Sequence, residues 1–172
     1  MTNILLTGFP QVGKTTAVKK IIEKINYNCV GFITEEIRNL YGHRVGFKVV
    51  TIDGKKEATL AHVNIKREKV VGKYYVLIEE FEEIAVNEMK KEAEIMVIDE
   101  IGKMELFSEK FKEKLIECLD KGNVLATITK RGGGYFVEEI KNREDIRLIE
   151  LTEMNRDKVI QRLIDEFNES KE

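Results

Sequence analysis

Two glycines, a lysine and two hydroxyls stand at fixed spacing in Gly8-Phe9-Pro10-Gln11-Val12-Gly13-Lys14-Thr15-Thr16. The spacing fits G-x-x-x-x-G-K-[ST], a pattern whose chemistry is the holding of phosphate. Successive backbone N–H groups in such a turn point inward, and a helix beginning at the lysine adds a partial positive charge. Lys14 is placed to reach the β- and γ-phosphates of a nucleotide, and the Thr15 hydroxyl to hold magnesium. The flanks suit the motif. Asn3 to Thr7 reads as a short buried strand, and Ala17, Val18, Ile21, Ile22 and Ile25 recur on one face of a helix over Lys14 to Ile25.

A second pair of groups bears on the fate of that nucleotide. Glu94-Ile95-Met96-Val97-Ile98-Asp99-Glu100 is an apolar run ending in two carboxylates. A buried strand ending in Asp delivers that carboxylate to the C-terminal edge of a parallel sheet, where ligands of such sheets collect. Asp99 is the expected magnesium partner opposite Thr15, directly or through water. Glu100 leaves the strand in another direction and is the expected catalytic group that orients an attacking water, Lys14 being the other expected catalytic residue. Other acidic pairs occur at Glu35-Glu36, Glu79-Glu80 and Glu82-Glu83, but only this one closes a four-residue apolar strand.

These residues need a frame, and the chain is long enough for one. Its 172 residues predict a single domain spanning 1–172, with the polar end 168–172 frayed. Strands are expected at Asn28–Thr34, Val45–Thr51, Glu57–Val63, Tyr74–Ile78, Asn123–Thr129 and Ile146–Leu151. Helices are expected at Glu79–Ala93, Ser108–Lys121, Val137–Lys141 and Arg156–Phe167, with Ser108 as an N-cap and Gly122 just past a helix end. Asp53-Gly54 marks a hairpin. Alternating strands and helices predict an α/β fold, a mostly parallel sheet covered on both faces with an antiparallel hairpin added at an edge.

Composition narrows the function classes. Lys+Arg 29 against Asp+Glu 31 gives net charge −2, too little field to steer nucleic acid. No window approaches a membrane span, and no basic leader or cleavage signal opens the chain, so a cytoplasmic, monomeric protein with no membrane or nucleic-acid partner is expected. Cys29 and Cys118 sit in apolar settings as reduced core thiols, and His43 and His62 lack zinc-ligand spacing. Abundant Lys and Glu with few Cys and no Trp lean toward a heat-adapted source.

With these segments placed, the chain resembles the small nucleoside-triphosphatase family first described from thermophiles, whose animal members are called cancer-related nucleoside-triphosphatase. The resemblance runs through Gly8 to Thr16, Gly31 to Arg38, Arg44 to Phe47, Val97 to Glu105, Glu139 to Arg143, and Asn155-Arg156. Its most specific stretch is Ile98-Asp99-Glu100-Ile101-Gly102-Lys103-Met104-Glu105, which the resemblance implies is a second nucleotide-binding segment beside the loop. It implies slow, magnesium-assisted hydrolysis of several nucleoside triphosphates to diphosphate and phosphate. It also implies a RecA-like P-loop core, in which the Asp99 strand does not neighbour the loop strand and Thr129, at the tip of the strand between them, is a candidate γ-phosphate sensor. Arg143 and Arg156 are candidate arginine fingers, expected near the C-terminal edge. Gln11 departs from the family, which usually has Gly there; its side chain is expected either to crowd the γ-phosphate or to force a slightly different loop conformation, with phosphate binding intact.

Three other readings compete. Asp99 to Gly102 fits D-x-x-G, and Asn142-Arg143-Glu144-Asp145 resembles a guanine-reading motif, which together predict a GTP switch. That motif should close a strand, and here it follows a helical segment. A small-molecule kinase with an unknown acceptor needs a lid, and Arg131 beside Gly132, Gly133 and Gly134 makes a poor one. A nucleotide-dependent module acting on a partner protein or RNA is the third, through the basic and aromatic segment Lys130 to Phe136.

Overall fold

Side chains along Asn3–Thr7 alternate between two cores. Ile4 and Leu6 pack with Ala17, Val18 and Ile21, while Leu5 packs on the opposite face with Phe32, Met96 and Ile98. That period of two puts a hydrophobic layer on each side of a sheet. The computed structural model describes residues 2–172. Its first half runs β1 (Asn3–Thr7), α1 (Lys14–Lys24), β2 (Cys29–Arg38), β3 (Arg44–Thr51), β4 (Glu57–His62), β5 (Val70–Val71), β6 (Tyr74–Val76) and α2 (Ile78–Met89). The second half runs β7 (Ile95–Ile101), α3 (Glu109–Lys121), β8 (Val124–Ile128), α4 (Gly134–Lys141), β9 (Ile146–Glu150) and α5 (Arg156–Ser170). A single 3-10 turn, Glu105–Phe107, links β7 to α3.

Among the described residues nine strands form one sheet in the order β5-β6-β4-β3-β2-β7-β8-β1-β9. The half from β2 to β9 is parallel, and its crossover helices cover both faces. Helices α1 and α5 cap one core; α2, α3 and α4 cap the other. Phe32, Phe81 and Phe111 meet edge to face inside the second core, with ring centroids 5.4 to 6.3 Å apart. Each fully buried ring contributes about 1.5–3 kcal/mol from burial alone. Strand β8 lies between β1 and β7, the RecA-like order that the resemblance implied.

The antiparallel part is larger than the hairpin expected. Strands β3 and β4 do flank the Asp53-Gly54 turn, but β3 also pairs with β2, and β4 with β6. Strand β2 continues to Arg38, past the apolar run, because its polar residues are paired across the ladder. Glu35 sits opposite Lys48, and Glu36 binds Arg44 at 3.3 Å. Helix α2 stops at Met89, so that Glu94 and Ile95 can donate to the Asn28 carbonyl and start β7 beside β2. Helix α5 extends through Ser170, with Asn168 accepting from Asn26 N and donating to the Lys24 carbonyl.

Candidate active site

The loop after β1 is shaped by two left-handed residues. Gly13, at φ 106°, caps α1, and its carbonyl accepts from Ala17 N at 2.9 Å. No side chain caps α1 and no carboxylate lies in its first turn, so the helix presents its N–H groups and dipole to an anion. Gln11, at φ 69°, is the only non-glycine residue with positive φ among the described residues. That φ is one Gly adopts without strain, and the Gln11 side chain is exposed. Phe9 and Pro10 are exposed as well, whereas Val12 joins the core below. Thr16 is exposed on the first turn of α1.

Lys14 crosses the loop, donating to the Gly8 carbonyl at 3.1 Å and to Glu100 Oε2 at 2.8 Å. Its side chain is 11% exposed, and that of Glu100 31%. One residue on, Thr15 Oγ1 donates to Asp99 Oδ2 at 2.7 Å. Two adjacent residues near the end of β7 are therefore met by the two residues that begin α1. The Asp99–Glu100 peptide is cis.

Asp99 is buried and held from the two strands that flank β7. Thr127 Oγ1 of β8 donates to its Oδ1, Thr34 N of β2 to its Oδ2 at 3.2 Å, and Thr34 Oγ1 to its carbonyl at 2.6 Å. Burial pushes its carboxyl up, and the hydroxyl donors from Thr127 and Thr15 oppose that. Farther along, Ile98 and Ile101 are core residues, and Lys103 is exposed with Met104 half-buried behind it. Buried Glu105 comes back toward Glu100 around Gly102: a Cβ on that glycine would lie 3.0 Å from Glu100 Oε1 and 3.2 Å from Glu105 Oε1. Burial, reinforced by the charge of Glu100, pushes Glu105 well above the usual carboxylate range.

The remaining expectations divide. Thr129 is at the tip of β8, but its hydroxyl donates to the Arg131 carbonyl at 2.8 Å, bracing the following loop. Thr127, two residues earlier, supplies the hydroxyl at Asp99. Arg156 lies against the loop, with Nη1 donating to the Val12 carbonyl at 3.0 Å. Arg143 does not reach the site. It precedes β9 and so falls at the opposite edge of the sheet, where Asp145 accepts from Asn3 N, and it is bound by Asp120 and Asp145 at 2.7 Å. The sequence reading also missed Thr34 and Thr127. Neither belongs to a local motif, and only the pairing of β2 and β8 with β7 brings them to Asp99.

A sheet whose phosphate-loop strand is separated by one strand from the acidic strand facing it is that of a P-loop nucleoside-triphosphatase. Known proteins agree. A family profile described as NTPase matches residues 3–164. The chain is 44% identical over 165 residues to nucleoside-triphosphatase THEP1 of Thermotoga sp. (strain RQ2), covering 94% of this chain and 92% of that one. It is 37% identical over 177 residues to human cancer-related nucleoside-triphosphatase, covering 92% of each. The crystal structure of THEP1 from the hyperthermophile Aquifex aeolicus superposes with a TM-score of 0.85 at 36% identity, covering 96% of this chain and 98% of that one. The chain belongs to this family of nucleoside-triphosphatases.

Proposed function

We propose that the chain hydrolyses ATP, GTP and other nucleoside triphosphates slowly to diphosphate and phosphate, with magnesium and little regard for the base. The carrying observation is the side-by-side pairing of Lys14 with Glu100 and Thr15 with Asp99. One pair supports phosphate charge and a water-facing carboxylate; the other supports a site for a hard cation. Magnesium takes few protein ligands and completes its shell with phosphates and water. The hydroxyl of Thr15 and the carboxylate of Asp99 converge within 2.7 Å and fit that role. When bound, the ion neutralises charge on the phosphate oxygens.

In this reading Lys14 exchanges Glu100 for the β,γ-bridge, which its flexible stem permits. Glu100, released from the ion pair and still partly open to solvent, orients a water and takes its proton. The water oxygen bonds to the γ-phosphorus, the β,γ P–O bond breaks, and the diphosphate leaves with the electron pair.

The loop between β9 and α5, which Arg156 ties to the phosphate loop, is closed on itself. Thr152 and Asn155 bind each other, with Thr152 N donating to Asn155 Oδ1 at 2.7 Å and Asn155 N to Thr152 Oγ1 at 3.1 Å. Asn155 Nδ2 is spent on the Glu150 carbonyl. The guanine-like run Asn142 to Asp145 sits at the far edge of the sheet. Phosphate release measured for ATP, GTP, CTP and UTP, with magnesium and with a chelator, tests the reading. Rates within about tenfold of one another that collapse with the chelator are expected; a single active base or chelator-resistant turnover contradicts it.

A further inference from the structure

We propose that Arg131 is the arginine that neutralises the transition state, carried in this same chain and held in reserve on the ring of Phe9. The assignment rests on the hydrolytic reading above and adds the charge that Lys14 and magnesium leave unmet. Among the described residues, Arg38, Arg44, Arg67, Arg143 and Arg147 are bound to carboxylates. Arg156 is tied to the Val12 carbonyl, and Arg162 faces outward from α5. Arg131 has no carboxylate within ion-pair distance among the described residues. Its guanidinium lies 5.4 Å from the centroid of Phe9, the residue that follows Gly8 in the phosphate loop.

The loop that carries it is built to move the side chain and little else. The Arg131 carbonyl accepts from Thr129 Oγ1 and the Lys130 carbonyl from Lys141 Nζ, so the backbone is pinned where it leaves β8. The glycines that follow, Gly132 and Gly133, take left-handed φ of 79° and 81° and let the chain turn sharply into α4. Gly132 also admits the side chain of Lys103: a Cβ there would fall 2.2 Å from Lys103 Cε. The loop is thereby packed against the segment that follows Asp99 and Glu100.

Lys130 also rides on Phe9, at 4.0 Å, but Glu150 binds its ammonium. Of the two cations on that ring, Arg131 is the one whose charge is uncommitted. A cation on an exposed aromatic face is held weakly enough to be surrendered to a triphosphate. The planar fork of Arg can then bridge two phosphoryl oxygens, which a Lys cannot. Arg131 transfers no proton or electron; the proton goes to Glu100 and the electron pair to the diphosphate. Its part is to bind the charge that spreads over the γ-oxygens.

The test uses the full chain as parent, Arg131→Ala and Arg131→Lys, with magnesium and ATP. Phosphate release is compared with binding of fluorescent ADP alone and of ADP with aluminium fluoride, which mimics the transferring phosphoryl group. Arg131→Ala is expected to lower kcat at least roughly a hundredfold. Its ADP affinity is expected to stay within about threefold while the added affinity for the aluminium-fluoride complex is lost, a split that a merely structural role would not produce. Arg131→Lys restores charge without the fork and is expected to recover only part of the rate. If Arg131→Ala turns over within about threefold of the parent and still traps ADP–aluminium fluoride, the finger assignment falls and the hydrolytic reading stands. If the parent releases no phosphate from any nucleoside triphosphate, both fall.

Discussion

The two edges of the parallel sheet are both rich in polar groups, and they use them differently. At the N-terminal edge, buried Asn3 donates to the carbonyls of Leu119 and Asp145 and accepts from Val124 N. Its bonds go to backbone, and they tie β1 to the ends of α3 and β8. Arg143 beside it is locked between Asp120 and Asp145. At the C-terminal edge, side chains bind side chains: Lys14 to Glu100, Thr15 and Thr127 to Asp99. Backbone bonds brace the fold, whereas paired charges near solvent can trade one another for a ligand. A buried polar group marks function here only when its partners are themselves exchangeable.

Substitutions at the two edges should separate accordingly. Lys14→Ala is expected to abolish measurable turnover and weaken nucleotide binding, because no other first-turn residue neutralises the β,γ-bridge; parental phosphate release in that variant would remove the loop from the mechanism. Asn3→Ala is expected to do the reverse. It leaves Val124 N and the Leu119 carbonyl buried without that partner and costs about 2–4 kcal/mol in denaturant unfolding, with kcat of the folded fraction unchanged. A large fall in kcat without lost stability would break the comparison.

Gln11→Gly should relieve the left-handed backbone and gain about 0.5–1 kcal/mol, read as a higher unfolding midpoint. A lower midpoint would show that the Gln11 side chain contributes more than its backbone costs. The smallest effect is expected at the N-terminal edge. Arg143→Ala removes surface ion pairs to Asp120 and Asp145, together worth under about 1 kcal/mol, and leaves turnover intact. Arg143 holds the carboxyl of Asp145 below its usual range. The stabilisation is therefore full above the ordinary carboxylate pKa and is lost as pH falls through the lowered one. The Tm difference between parent and variant should be present at neutral pH and vanish in acid; a difference that grows in acid would contradict the assignment.

The phosphate loop, β7 and the parallel core were legible because each is local: a contiguous motif, an apolar run, a repeated alternation. Glu35 and Glu36 hid the end of β2, since a charged strand looks like a loop until its partners Lys48 and Arg44 are known. The two-residue β5 carries too few residues for a pattern. Which edge a loop occupies was the costlier omission. Arg143 lies between a helix and the start of a strand, Arg131 just after the end of one, and in a parallel sheet that order decides between opposite ends of the molecule. The basic and aromatic segment at Lys130 reads from sequence as a solvated loop, with nucleic-acid contact the competing alternative; its cations lie against the chain's own Phe9.

The central claim is that adjacent carboxylates divide the work, Asp99 organising the cation site and Glu100 handling the water. Single-turnover phosphate release across a magnesium titration tests it most directly, in Glu100→Gln and Asp99→Asn. Glu100→Gln is expected to bind magnesium-nucleotide normally and to lose roughly two to four orders of magnitude in the chemical step at every magnesium concentration. Asp99→Asn is expected to be slow at low magnesium and to recover in part at high magnesium. The same magnesium rescue in both variants would contradict the division.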